Sequence, residues 1–480
     1  MNAAATDVAS SAATDPAGPT GQLATWLAEV TLDDVPSRVR ERAKALILDG
    51  LGCALIGAQL PWSRIATDLV RKMEGSGDHA LIGCGLTTSA PGAALLNGTF
   101  IQGFEFDDFH PLAPLHSASL VIPALLACAS AQGRVSGASW LLAAIAGFET
   151  GPRVGLALHG GQMLSRGWHS GSVFGTHSSA AAAGKLLRLS AAQFEDALGL
   201  AATQSCGLMA AQYEAMGKRM HHGLSARNGL YAAHLAAGGY TGIKRVFERE
   251  YGGFLSTFGE GHEPDATQIA SELGQRWEIE RIVAKPYAAM GGLHAPLDCL
   301  FELLRQRRFT AEEVERIEVD VSHAVYHHGW WEMQRPITPI AAQMNIGYAL
   351  AVATIDGAAM VDQFSPQRIA SDDVWRLIPK IVARHDLEFD KGGPLKRGMT
   401  RLRVRLVDGS AMETSIAMTK TVSEPMTNEG VVSKFHTVTR GLLSENRANA
   451  IVQAVQALEA LPDIQSLGAL LAPVVRGAFD

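Results

Sequence analysis

The feature that most constrains this chain is a change of hydrophobic period near residue 275. From about Gly21 to Asp265, Ala- and Leu-rich stretches place apolar residues three and four apart, the period of a helix with one buried face. This spacing predicts helices over 35–56, 90–103, 119–132, 138–156, 171–187, 191–210 and 225–238, with a short strand at 79–82. Beyond Gln275 the pattern mixes. Strands are expected over 277–285 and 316–322, a helix over 295–306, and a hairpin over 400–406 and 411–418 turning at Asp408-Gly409. After Pro425 helical spacing resumes over 431–442, 447–458 and 463–471. The fold class is therefore mainly α with an inserted α+β domain. The expected organisation is a disordered lead-in (1–20), a large all-helical domain (21–272), a smaller α+β domain (273–422) and C-terminal helices (423–475) returning to the first domain.

Composition narrows the function. The 49 glycines, many beside alanine, point to helices in close contact. A formal net charge of −7 argues against nucleic acid or an anionic membrane as partner. It also means that an anionic substrate needs cations gathered at one place. The five cysteines are scattered, with no C-x-x-C, as expected of buried free thiols in a reducing, cytoplasmic setting. No apolar run approaches the roughly 18 residues of a membrane span, and the first residues lack the marks of a signal or transit peptide.

Metalloprotease, P-loop and nucleophile-elbow motifs are absent, and Gly83-Cys-Gly85 is too short for a dinucleotide fingerprint. Four polar clusters remain, each set in small or apolar sequence. They are Glu105-Phe-Asp-Asp108 with His110 and His116; Arg166-Gly-Trp-His169; Lys218-Arg219-Met-His221-His222; and Lys285-Pro-Tyr287 with His294. Asp107 and Asp108 read equally as turn caps or as site residues. Asp107, Asp108, His110 and His116 are suitable metal ligands by type, but nothing sets a ligand spacing. His169 precedes a helical pattern whose free N–H groups would face an anion.

In order along the chain, Asn97-Gly98 with Glu105-Phe-Asp-Asp108 and His116, then Trp168-His169 with Val173-Phe-Gly-Thr176, then Lys218-Arg219-Met-His221-x-Gly223, then Lys285-Pro-Tyr287 and His294-x-x-x-Asp298, resemble the signatures of the MmgE/PrpD family. The resemblance runs from about residue 25 to 470. It implies a helical domain and a smaller lid enclosing the site, action on a small di- or tricarboxylate, no metal or organic cofactor, and a homodimer. It also implies that His116, His169, Lys218, Lys285 and Tyr326 line the site. Set against the family's decarboxylase, the chain departs at Glu105, Phe109 and Met290, where that enzyme has aspartate, threonine and histidine.

Chemically, a C–H bond beside a carboxylate yields its proton only if the developing charge is neutralised. Lys218, Arg219 and Lys285 are the electrostatic candidates. His169 and His116 are the proton-transfer candidates, with Tyr326 or His294 as a further acid. Glu105, Asp107, Asp108, His221 and Met290 complete the expected substrate contacts. The departures at Glu105 and Met290 direct the expectation to a hydro-lyase like 2-methylcitrate dehydratase. An epimerase, a cis-aconitate-type decarboxylase and a non-catalytic polycarboxylate binder are the alternatives.

Overall fold

The computed structural model describes residues 11–391 and 398–480. Its larger part is a pack of helices built around Ser37–Gly57, Ala90–Ile101, Ala118–Ala131, Gly137–Ala157, Gly175–Leu186 and Gly217–Ala237. Small residues let these axes approach. A Cβ on Gly223 would lie 2.1 Å from the Leu95 carbonyl oxygen, and one on Gly98 would lie 2.8 Å from the Gly223 Cα. Glycine is therefore required on both helices for Gly217–Ala237 to sit against Ala90–Ile101, and this contact sets where Lys218 points.

The smaller part carries a four-stranded sheet in the order Ile381–His385, Val314–Val321, Thr400–Leu406, Ala411–Ile416. The first pair is parallel, with Ile317 opposite Ile381; the others are antiparallel, with Val319 opposite Leu402 and Leu402 opposite Thr414. Ile317, Val319, Leu402 and Val404 are buried on one face, which is covered by the helices His294–Gln306 and Ile346–Asp356. The other face is a ladder of charges, with Asp320 contacting Arg401 at 3.2 Å and Arg403 at 3.4 Å. The chain is thus mainly α with a smaller α+β region.

The C-terminal helices Asn428–Thr439 and Glu445–Gln456 pack back on Ser37–Gly57. Lys434 anchors that return. Its ammonium lies 2.6 Å from Asp49 Oδ1 and donates to the Phe106 carbonyl at 2.7 Å, beside the candidate site.

Several local expectations are corrected. Segment 277–285 holds a 3-10 turn, Glu278–Arg281, and its strand-like pairing among the described residues is a single bridge between Phe109 and Val283. The buried Glu149 carboxylate takes the Glu278 and Ile279 N–H groups at 3.0 and 2.8 Å, so neither is left to pair with a strand neighbour. Segment 191–210 stops being helical at Ala202, and segment 171–187 breaks at Phe174 into Ser170–Val173 and Gly175–Leu186. The helix expected from 225 begins at Gly217. Residues 1–10 of the expected lead-in lie outside the described residues. The rest of it is held in place: Thr14 donates through its N–H and hydroxyl to Glu195 Oε2, both at 2.9 Å. Cys206 is exposed, while the other four thiols are buried and free. Among the described residues, no single helix is long and apolar enough to cross a membrane.

Candidate active site

The centre of the site is a buried anion among three cations. Glu105 follows the 3-10 turn Gln102–Phe104 in a left-handed conformation, φ 55°, which turns its carboxylate inward. Lys218 and Arg219 reach it from the first turn of Gly217–Ala237. The Lys218 ammonium donates to Oε1, the Arg219 guanidinium donates to the same oxygen at 2.8 Å, and Lys285 donates to Oε2 at 3.1 Å. Lys285 also donates to the Glu105 carbonyl at 3.1 Å. Gln343 holds the far side. It accepts from Arg219 at 2.6 Å and donates to the carbonyls of Phe104 and Ala288 at 2.7 and 2.9 Å.

Burial alone would raise the Glu105 carboxyl, but Lys218, Lys285 and Arg219 together hold it well below the usual carboxylate range. Burial takes Lys218 down to about 8, against the opposing pull of Glu105. One carboxylate and three cations leave the cluster with two positive charges in excess at neutral pH.

Next to it lies a group of imidazoles. His169 and His221 have ring centroids 4.3 Å apart; His222 sits 5.3 Å from His169 and 5.1 Å from His116. The Ser119 hydroxyl donates its proton to the His116 carbonyl at 2.9 Å, so it accepts from His222 Nδ1 at 2.8 Å. This hydrogen-bond logic gives His222 a protonated Nδ1 and leaves the lone pair on Nε2. Burial first, then the neighbouring imidazoles and Lys218, push His169 and His222 well below the usual histidine range; burial and Lys218 take His221 to about 4. All three rings are neutral near pH 7. His116 differs: its Nδ1 lies 3.2 Å from Oδ1 of the fully buried Asp107, a contact without hydrogen-bond geometry.

A cavity of about 630 Å³ opens over these groups, and Glu105, His116, His169, Lys218, Lys285 and Met290 all line it. Other expected site residues lie outside the lining. Asp108 accepts from the N–H groups of Ser117 and Ala118, both at 3.1 Å, and so caps the helix Ala118–Ala131. His294 donates from Nε2 to the Ala289 carbonyl at 3.2 Å and accepts at Nδ1 from Thr421 at 2.9 Å. Both its nitrogens are used, and burial takes it to about 3, so it is a structural histidine. Tyr326 packs against the apolar core, while Ala324, Val325 and His328 of the same turn face the cavity. Arg219 and His221 stand behind the lining residues.

The four possible metal ligands do not converge. His110 contacts Glu278 Oε2 at 3.1 Å and accepts from the Ala113 N–H at 3.0 Å, while Asp108 is spent on its cap. Among the described residues no group of three or more His, Cys, Asp or Glu is arranged to hold a metal ion. His169 precedes the four-residue helix Ser170–Val173, not the long Ala-rich helix, so the expected helix-terminus anion site is not formed there. Sequence reading missed His159 and His328, which also line the cavity. His159 stands at the left-handed junction after Gly137–Ala157, φ 50°, with no surrounding motif to mark it.

A cavity lined by two lysines and by imidazoles, between a helical pack and an α+β region, brings together the group types that charge stabilisation and proton transfer require. The comparisons with known proteins give the family. The MmgE/PrpD N-terminal domain model matches residues 21–267, and the C-terminal domain model matches 287–460. The chain belongs to the MmgE/PrpD family. It is 42% identical over 468 residues to the cis-aconitate decarboxylase-like protein oryM of Aspergillus oryzae, covering 94% of this chain and 97% of that one. It is 41% identical over 471 residues to cis-aconitate decarboxylase of Aspergillus terreus (95% and 96% covered), and 27% identical to that of Homo sapiens (94% of each). These relatives support an enzyme of the lyase kind. They correct the leading expectation: the decarboxylase alternative fits better than 2-methylcitrate dehydratase.

Proposed function

We propose that this chain is a decarboxylase of a cis-aconitate-type tricarboxylate. The observation that carries the reading is the near-full-length similarity to the two Aspergillus proteins. The site chemistry is consistent with it. In such a substrate one carboxylate sits on the saturated carbon next to the C=C bond. When that carboxylate leaves as CO₂, its bonding pair forms a new C=C bond. The old double-bond pair moves to the far carbon, which bears another carboxylate and takes up one proton.

The transient charge is therefore delocalised into a carboxylate, and fixed cations in a water-poor site favour that state over the ground state. Among the described residues, the lysines and arginines that line the cavity are Lys218 and Lys285. We assign proton delivery to His116, with Asp107 behind it. His169, held neutral, serves as a hydrogen-bonding group that orients the substrate.

The test is incubation with cis-aconitate in D₂O, followed by NMR and by trapping of CO₂. The expected result is CO₂ in step with an alkene product carrying one deuterium. Citrate, 2-methylcitrate and iminodisuccinate serve as the panel. Conversion of 2-methylcitrate to an alkene, with no CO₂ from cis-aconitate, would replace this reading with the hydro-lyase.

A further inference from the structure

We infer that Lys434, on a C-terminal helix, is a positioning residue for the reaction: its hold on the Phe106 carbonyl keeps the Asp107 carboxylate against His116. The inference rests on the decarboxylase reading above, in which His116 delivers the proton. The helix Asn428–Thr439 lays Val431, Lys434 and Phe435 on its buried face, three and four residues apart. A Cβ on Gly52 would lie 3.1 Å from the Phe435 ring, so this helix sits close against Ser37–Gly57 and carries the lysine inside. A lysine in an apolar stripe is costly unless its charge and its donors are matched. Both are matched here. Besides the Asp49 carboxylate at 2.6 Å and the Phe106 carbonyl at 2.7 Å, the ammonium lies 4.2 Å from the centre of the Phe106 ring. Burial alone would take the ammonium down, but Asp49 holds it above the usual lysine range, so it is a cation at neutral pH.

What this lysine grips is the turn that builds the site. Three successive carbonyls, those of Phe104, Glu105 and Phe106, each accept from a side chain far along the chain: Gln343 at 2.7 Å, Lys285 at 3.1 Å and Lys434 at 2.7 Å. Gln343 and Lys285 also bond the charged cluster directly. Lys434 lies behind the cavity lining and touches the turn at Phe106. Phe106 stands between Glu105, whose left-handed φ of 55° needs its neighbours fixed, and Asp107. The Asp107 carboxylate is fully buried, and among the described residues neither of its oxygens has a hydrogen-bond donor; its approach to His116 Nδ1 at 3.2 Å is a matter of placement. The backbone sets that placement, and the peptide unit leading into Asp107 is the one whose oxygen Lys434 holds. Freeing this carbonyl lets the unit turn and swings Asp107 away from His116, while Glu105 stays among its three cations. Loss of Lys434 should therefore cost turnover more than binding.

The experiment uses the full-length enzyme and removes the lysine together with its counter-ion, as Asp49→Asn with Lys434→Met, so that neither charge is left without the other. On cis-aconitate this paired variant should lose about tenfold or more in kcat, with KM within about threefold of the parent. Made in the His116→Asn background, the same two substitutions should cost less than about twofold, because the group they position is gone. Asp49→Asn alone keeps the carbonyl contact and should keep kcat within about threefold. Hydrogen exchange read by mass spectrometry gives a measure independent of turnover: amides of 104–110 should exchange about tenfold faster or more in the paired variant, while those of 428–439 stay protected. Equal losses of kcat in both backgrounds, or an unchanged kcat in the paired variant, would overturn the inference, as would loosening confined to 428–439. If the parent releases no CO₂ from cis-aconitate, the decarboxylase reading falls and exchange alone decides: faster exchange over 104–110 upholds the grip of Lys434 on this turn, and unchanged exchange removes it.

Discussion

Replacing Glu105 by glutamine removes the one negative charge that three buried cations share. Breaking a buried ion pair by deleting one partner costs about 3–5 kcal/mol, because the remaining charge is left without compensation. Here the cost has an outlet. Lys218 already sits near 8 with Glu105 present, so without that carboxylate's opposing pull it is expected to yield its proton below neutrality. Its ammonium in the unfolded chain titrates near 10.4. Between the folded and unfolded values the unfolded state binds more protons, so stability rises with pH there by about 1.4 kcal/mol per pH unit. In the parent protein this rise begins only above about 8; in Glu105→Gln it is already under way near pH 6.5. The stability gap should therefore narrow by about 2 kcal/mol between pH 6.5 and 8. Urea unfolding of both proteins at four pH values measures it. A gap that stays constant or widens would refute the assignment of Lys218 as the group that yields its proton.

Further outcomes follow from the same geometry. His116→Asn should lower kcat by about a hundredfold, as for a lost general acid, whereas His169→Ala should raise KM more than it lowers kcat; steady-state kinetics on cis-aconitate separates the two. Activity should fall as pH rises through about 8, because the protonated Lys218 is the working form. A rate that stays flat to pH 9.5 would contradict this; Lys218→Arg should not restore the activity lost in Lys218→Ala, since a guanidinium fork does not take the place of an ammonium point charge, and near-parent turnover in Lys218→Arg would refute that. Gly171→Ala would put a Cβ 1.7 Å from His222 Nε2, so the ring must leave its place between His116 and His169. We expect at least a tenfold loss of kcat with the circular dichroism unchanged.

The helical pack was legible because its signal is local and repeated: a 3.6-residue period, with glycines where axes approach. The 400–416 hairpin was equally plain, its turn carried by Gly409 at φ 84°. The stretch from His323 to Asp390 was not assigned. Its elements are short helices and one parallel edge strand, Ile381–His385, whose pairing with Val314–Val321 is non-local. Segment 277–285 misled for a related reason: its β-like composition is overruled by Glu149, a carboxylate about 130 residues away. The clusters around Glu105, Lys218 and Lys285 stood out as ionisable groups embedded in small and apolar residues. That they form one contact, across separations of 113 and 180 residues, is tertiary information. Asp108 and His294 carried the same local look, and only their hydrogen bonds mark them as structural.

The lysines make a carbanion beside a carboxylate tolerable, but they do not choose what leaves it. Hydroxide is a poor leaving group and departs only as it is protonated, so a hydro-lyase needs an acid on the face from which it leaves. CO₂ departs neutral and asks for no proton; an apolar surface suits it better than a polar one. Among the described residues, the titratable lining groups on the lid side of the cavity are Lys285, which Glu105 holds, and His328, which also has a partner. The same wall also carries the carbon surface of Met290 and Val325. Of these described groups His328 is the one that could protonate a departing hydroxide, while loss of CO₂ would not involve it. His328→Gln accordingly separates the two chemistries on one protein: CO₂ release from cis-aconitate should stay within about tenfold of the parent. If instead that variant loses CO₂ release by three orders of magnitude while still binding unreactive tricarballylate, the lid imidazole takes part in the bond-breaking step, and the carbon wall is not what selects the leaving group.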